Sequence, residues 1–193
     1  MINITSNIVK TSGAYILYSG LFPFQVGPTK EGDKLGVVRL GGHRENNETA
    51  LEAAKREVFE EASMIITPVS SPVTYYKTEW DEKPVIIKVD DEISPVLIKG
   101  NREKSLSVMY LSYANNKPKP SSETNGLLLL TPDDVQLICN NKITLNEYLQ
   151  QNGIAILKRK LNQNLILEPF PQLLFLSELL KEEPALMKEF LKK

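Results

Sequence analysis

Apolar residues recur at two spacings along this chain, and the changes of spacing divide it into elements. Ala14–Tyr18 reads as a short strand. Leu21–Gly32 carries Pro, Gly and Lys punctuation and reads as a hairpin loop. Lys34–Leu40 returns as a strand that ends at Gly41-Gly42. A polar loop, 43–48, leads to Thr49, which opens a helix. Leu51, Ala54, Val58 and Ala62 repeat there at helical spacing and define its buried face. After Pro68 and Pro72, Val73–Trp80 is β-rich. Val85–Val89 and Ile93–Ile98 flank Asp90-Asp91-Glu92 as the arms of a hairpin would. Leu106–Tyr113 alternates as a strand does, Lys117–Asn125 is a Pro/Ser-rich loop, and Leu127–Leu130 is a continuous apolar run suited to a buried strand. Asp133–Cys139 and Leu145–Gln151 read as short helices. Pro171–Leu180 and Pro184–Leu191 read as two more, each entered at a Pro.

Strands around a helix, followed by helices, predict an α+β fold. The 193 residues fit one domain with room for an extension. The pattern sets a domain over 1–152 apart from a C-terminal helical extension, 153–193, packed on that domain or on a second subunit, as in a homodimer.

Composition narrows the function. Apolar content of 41% and charged content of 24% are ordinary for a soluble globular protein. A net charge of −1 gives no general pull toward nucleic acid or membrane. Cys139 is the only cysteine, which excludes an internal disulfide and a cysteine zinc cluster, and the lone His43 argues against a histidine metal site. The first seven residues lack the regions of a signal peptide, and no apolar run approaches a membrane span, so a cytoplasmic location is expected. Neither a phosphate-loop motif nor a G-x-G-x-x-G fingerprint is present.

The chemistry concentrates in residues 42–64. Glu57, Glu60 and Glu61 stand at i, i+3 and i+4 on the expected helix, with Arg56 beside them and Glu48 eight residues upstream. Carboxylates at that spacing share one face, roughly 6 Å apart, and repel one another unless a cation sits among them. Oxygen ligands that close together suit a hard divalent ion such as Mg²⁺ or Mn²⁺. The alternative is a solvated Glu- and Arg-rich helix face.

Gly42, Glu48 and Arg56-Glu57-Val58-x-Glu60-Glu61, with Met64 closing the segment, resemble the signature of the Nudix hydrolase (MutT-like) family. Ser63 stands where the family usually has Gly, whose left-handed turn ends the helix. The resemblance implies an α/β/α sandwich with a mixed sheet. It implies hydrolysis of a diphosphate linkage in a nucleoside diphosphate joined to another group, a small-molecule substrate. By the same resemblance Glu57, Glu60, Glu61 and the Gly41 carbonyl hold Mg²⁺ or Mn²⁺, Glu48 holds Arg56, and Arg56 orients the metal-binding carboxylates. Glu123 stands about six residues before a strand that runs into an acidic helix start, where many members place a glutamate that completes the metal shell or takes a proton from water. Glu57 is the other choice for base, and Glu79, Glu82 and Glu103 are weaker rivals to Glu123.

Arg39, Arg44, Lys77 and Arg102 are candidates for phosphate contact, against a merely solubilising role. Tyr75, Tyr76 and Trp80 are candidates to stack on a base, against a place in the core; alternation puts Tyr76 and Trp80 on one face and Tyr75 on the other. The extra motifs of the better-known subfamilies are not found, so the substrate stays open. Two other readings remain: a non-catalytic Nudix-fold binding or regulatory module, with 133–152 as a helix-turn-helix, and an interaction protein using Pro171–Lys193. Asp133, Asp134 and Glu147 make the helix-turn-helix segment acidic and a nucleic-acid partner unfavourable.

Overall fold

The computed structural model describes residues 8–193. The N-terminal heptapeptide, on which the expectation of no signal peptide rests, lies outside the described residues. In chain order the elements are β1 (Val9–Leu17), β2 (Phe22–Pro28), β3 (Leu35–Val38), β4 (Leu40–His43), α1 (Ala50–Ala62), β5 (Ile66–Val69), β6 (Thr74–Lys77), β7 (Val85–Ile87), β8 (Leu97–Asn101) and β9 (Ser105–Ala114). There follow β10 (Gly126–Leu130), α2 (Pro132–Asn140), α3 (Leu145–Gln150), β11 (Ile154–Leu157), β12 (Leu167–Pro169), α4 (Pro171–Glu182) and α5 (Pro184–Phe190).

Two mixed sheets result. One runs β4-β1-β9-β8-β6-β7, with β5 also on β9; the other runs β11-β10-β2-β3-β12. On the seven-stranded sheet, Ala14, Ile16 and Leu40 meet Val58 and Ala62 of α1. Alternation turns Tyr15 and Leu17 to the opposite face, into the main core with Phe22, Phe24, Leu128 and Leu130 of the second sheet and Phe175, Leu176 and Phe190 of α4 and α5. The layer order is therefore α1, sheet, then the second sheet and the remaining helices, an α+β fold as the sequence predicts.

The structure corrects several expectations. Leu21–Gly32 is mostly strand: Phe22, Phe24 and Val26 alternate inward, and this outweighs the two prolines. Pro23 lies beyond the β3 register and Pro28 at its last pair, so neither breaks that ladder's interior. Lys34–Leu40 is two strands, because the chain changes sheets at Arg39. The Val85–Val89/Ile93–Ile98 hairpin does not form; β7 pairs antiparallel with β6, and β8 pairs parallel with it. Residues 153–193 are not purely helical. β11 and β12 complete the second sheet and α4 and α5 enter the main core, so no division falls at 152. The helices of 133–152 bury Val135, Ile138, Leu145 and Tyr148 in that same core, so those faces are not open for docking. No helix among the described residues is long and apolar enough to cross a membrane.

α1 starts as expected. Thr49 accepts from the Glu52 amide while Glu52 accepts from the Thr49 amide, a reciprocal cap. Its buried face is Ala50, Ala53, Ala54, Val58 and Ala62, small residues that let the helix lie close to the sheet. At the other end Ser63 takes the left-handed conformation, φ 54°, and its amide donates to the Phe59 carbonyl. The Asn116 side chain spans the cap, donating to the Ser63 carbonyl and accepting from the Ile65 amide. A Cβ in that conformation costs about 1 kcal/mol. Ser63→Gly is therefore expected to stabilise the protein by about 0.5–1 kcal/mol, read as an upward shift in the denaturation midpoint. A lower midpoint would contradict this reading of the cap.

Candidate active site

The site is built where β4 runs beside α1. Gly42 lies under the Glu57 carboxylate, and a Cβ at position 42 would collide with it. Gly41, at φ +143°, takes a backbone conformation that favours glycine, and a Cβ there would strike Gly13 and the Ser12 carbonyl. Its amide is turned out of the β-ladder and donates to Glu61 Oε2 at 2.8 Å. The other Glu61 oxygen accepts from Gln25 Nε2 at 2.8 Å, and Gln25 also reaches the Arg39 carbonyl. No sequence motif marks Gln25, which lies in a segment whose Pro and Gly punctuation predicts a loop. Its signal is a polar residue between Phe24 and Val26, which both point into the core.

Arg56 binds four partners. Nε and Nη2 grip the two oxygens of Glu48 at 2.6 and 3.0 Å, Nη1 reaches Glu57 and Glu60 at 2.9 Å each, and Nη2 also donates to the His43 carbonyl. The Glu48 carboxylate is held below its usual pKa, first by its hydrogen bonds to Arg56. The sequence pattern calls for a cation among the carboxylates, and the guanidinium already fills part of that need. Glu57 and Glu48 are mostly buried there, while the Glu60 side chain is 56% exposed.

Removing Arg56 strands three carboxylates on one face. Arg56→Met is expected to cost roughly 2–4 kcal/mol of stability, toward the lower end of a broken buried pair because the network touches solvent. Loss of its positioning role is expected to lower activity about 10–100-fold. Thermal melts and initial rates check both, and a variant as stable as wild type would contradict the network's structural role.

Glu61 has no such partner. Burial pushes its carboxyl up to about 7, only partly opposed by the Gly41 and Gln25 hydrogen bonds, and the nearby Glu57 charge raises it further. With the folded pKa above the ordinary 4.5, the protonated form favours the fold. Its stabilisation is complete below about pH 4.5 and is lost as pH rises through about 7. The metal-free protein is therefore expected to lose up to about 3 kcal/mol across that window. The depressed carboxylates Glu48, Glu52, Glu147 and Glu189 act with the opposite sign, and at lower pH. Unfolding in chelator at pH 5 and pH 7.5 checks this; equal stability, or a rise, would contradict it.

Among the described residues no group of three or more His, Cys, Asp or Glu converges as a ready metal cage. Glu57 and Glu61 share the β4 side of α1; Arg56 bonds both Glu57 and Glu60, and Glu60 is the more exposed of the two. The donor set nevertheless suits Mg²⁺ or Mn²⁺ in kind: it is oxygen only, and it includes a desolvated carboxylate without a full countercharge.

Glu123 is exposed, but its loop is anchored to the end of α1. The Lys119 amide donates to the Ala62 carbonyl, and the Ser121 amide and Thr124 hydroxyl donate to that of Glu61. Glu79, Glu82 and Glu103 have no such tie to α1; Glu79 contacts Lys99 and caps a turn with Glu82.

The expected substrate contacts separate. The Arg39 side chain lies beside Gly13 and Gly41, where burial lowers its pKa and attraction to Glu61 and Glu57 raises it. The Arg44 guanidinium donates to the Glu48 carbonyl, so it holds the loop. Lys77 is buried and pairs with Glu178 of α4. Arg102 lies over the Tyr76 ring. Tyr76 and Trp80 do not share a face. β6 ends at Lys77, so alternation fails at the turn; Tyr76 packs on the α1 side and its hydroxyl bonds the Gly100 carbonyl, while Trp80 packs with Tyr75 on the main core. Cys139 is half-buried, and burial pushes its thiol up to about 11.

No protein-family model matches this chain, and no curated protein matches it. Solved structures that superpose on part or most of it include a Nudix-family hydrolase from Clostridium perfringens, with 18% identity, 68% of this chain and 86% of that one covered, and a TM-score of 0.48. An Ap4A hydrolase from C. elegans has 16% identity, coverage of 65% and 82%, and a TM-score of 0.43. An ADP-ribose pyrophosphatase from Streptococcus suis has 14% identity, coverage of 86% and 87%, and a TM-score of 0.43.

Proposed function

We propose that this chain is a Nudix-type, divalent-metal-dependent hydrolase that cleaves a diphosphate linkage in a nucleoside diphosphate derivative. The observation that supports this reading best is the pairing of Gly41-Gly42 with Glu61 and Glu57. Two adjacent glycines bring backbone against two carboxylates one helical turn apart, in the segment that carries the signature. Glu57, Glu61 and the Gly41 carbonyl would hold Mg²⁺ or Mn²⁺, and Glu60 would join them by giving up Arg56. Such an ion neutralises an anionic diphosphate and acidifies water beside it.

The chain's own groups supply the rest. Glu48 fixes Arg56, and Arg56 fixes Glu57. Gln25 and the Gly41 amide fix Glu61. Glu123, carried on the loop tied to the end of α1, takes a proton from the attacking water. A screen of nucleoside diphosphate derivatives with Mg²⁺ and with Mn²⁺, reading product phosphates, tests the proposal. Turnover that stops on chelation supports it; turnover that survives excess chelator would sink the metal mechanism.

A second reading is a non-catalytic binding module of the same fold. It draws on one observation: both Glu61 oxygens and one oxygen each of Glu57 and Glu60 already have protein partners. The same screen separates the two, since a module binds a diphosphate and releases nothing.

A further inference from the structure

The sequence pattern sets residues after 152 apart from the catalytic domain, yet one of them reaches the Glu123 loop. β11 ends its pairing with β10 at Leu157, opposite Gly126. Just past it the Lys158 and Arg159 amides both donate to the Asn125 carbonyl, at 2.9 and 3.0 Å. The Arg159 side chain turns the same way. Its Nη2 donates to the Ser122 carbonyl at 3.2 Å, and Nη1 stands a loose 3.5 Å from Asn125 Oδ1. A guanidinium is a planar fork of donors. Here the fork faces neutral oxygens of one loop, on either side of Glu123.

The grip falls on the peptide unit that enters Glu123. The oxygen of that unit is the Ser122 carbonyl, held by Arg159. Its N–H is that of Glu123, which donates to Ser121 Oγ at 3.3 Å. A peptide unit is rigid and planar, so holding both of its polar atoms restricts the plane and with it the direction in which Glu123 leaves the backbone. The rest of the loop is fixed independently. On the helix side, the Ser121 amide and the Thr124 hydroxyl donate to the Glu61 carbonyl. On the sheet side, Asn125 lies over Gly27, where a Cβ would come within 2.6 Å of Asn125 Nδ2. Gln25 and Gly27 alternate with Phe24 and Val26, so both face away from the main core, and Gln25 is the residue that holds Glu61. The loop is thus anchored to the helix end and the strand face that position Glu61. Ser122 and Glu123 form the exposed tip between those anchors, and Arg159 holds the tip.

We infer that Arg159 is a positioning residue for the proton-transfer step: by holding the Ser122 carbonyl it sets the direction of Glu123. The inference rests on the hydrolase reading and on Glu123 as its base. In this role Arg159 touches neither metal nor substrate, and the segment after β11 serves catalysis through the loop it orders. The bond is exposed and competes with water, so Arg159 changes how often Glu123 stands in place and leaves the fold alone.

Arg159→Met keeps the apolar stem and removes the donors. It is expected to melt close to wild type, to lower kcat about 3–10-fold and to leave KM unchanged, because the ordering of Glu123 matters in the transition state. Arg159→Lys, which can still donate to the Ser122 carbonyl, is expected to recover most of that loss. Lys160→Met, which removes a neighbouring exposed cation, is expected to leave kcat within about twofold and so separates the grip from general charge. The decisive readout is the double variant: in a Glu123→Gln background Arg159→Met is expected to lower kcat no further, since its effect passes through Glu123. Amide hydrogen exchange reads the grip without turnover, and exchange at the Glu123 amide is expected to quicken several-fold in Arg159→Met while α1 stays as protected as before. Full kcat in Arg159→Met, an equal loss in the Glu123→Gln background, or unchanged exchange at Glu123 would overturn the inference and leave the hydrolase standing. Quickened exchange in a protein that releases no phosphate from any diphosphate would refute the hydrolase and leave Arg159 only as an ordering contact of the loop.

Discussion

Glu61→Gln is expected to lower metal-dependent turnover by about 10³-fold and leave the protein folded. A metal ion contributes several kcal/mol to the transition state of such a reaction, and each 1.4 kcal/mol is tenfold. Gln is isosteric but neutral, so the oxygen-only site loses its most buried charge and one of its oxygen donors. The local effect of the change is separable from this. A Gln side chain can still accept from the Gly41 amide, but its own amide then opposes the Gln25 donor. In chelator above pH 7, where the wild-type Glu61 is ionised and desolvated, the variant is expected to be no less stable. Initial rates and melting curves on the same preparation check both statements. A fully active Glu61→Gln protein would remove α1 from the mechanism.

Glu123→Gln is expected to lower kcat about 10²–10⁴-fold with KM nearly unchanged, because proton removal is needed in the transition state and not to hold the ground-state diphosphate. The last carbonyls of any helix lack intrahelical partners. Here the Glu123 loop supplies them, through Lys119, Ser121 and Thr124, so capping α1 also brings Glu123 to the Glu61 end of the helix. Thr124 is buried and Ser122 and Glu123 are exposed, so closure over substrate needs to move only the tip. A variant within about threefold of wild-type kcat would hand the base role to Glu57, which lies against Gly42.

The parts of this site that were legible in sequence are those set by local rules. Helical spacing puts Glu57 and Glu61 on α1, Thr49 announces its start, and Glu48 and Arg56 do meet. The parts that were not legible depend on tertiary pairing. Gln25 was hidden because prolines masked a strand whose alternation is otherwise plain. The place of Arg39 beside Gly13 and Gly41 needs those glycines to face one another across two strands, which no local pattern states. Trp80 leaves the face that alternation predicts because β6 ends at Lys77 and a turn follows. The two strands after residue 152 were missed because each is short and completes a sheet begun more than a hundred residues earlier.

Mn²⁺ titration followed by electron paramagnetic resonance tests the central claim most directly, that α1 and Gly41 form a divalent-cation site. Wild-type protein at pH 8 is expected to deplete the free Mn²⁺ signal, to do so less well as pH falls through about 7 and Glu61 takes up its proton, and to lose that binding in the Glu57→Gln/Glu61→Gln double variant. Binding that is absent in wild type, or unchanged in the double variant, would contradict it.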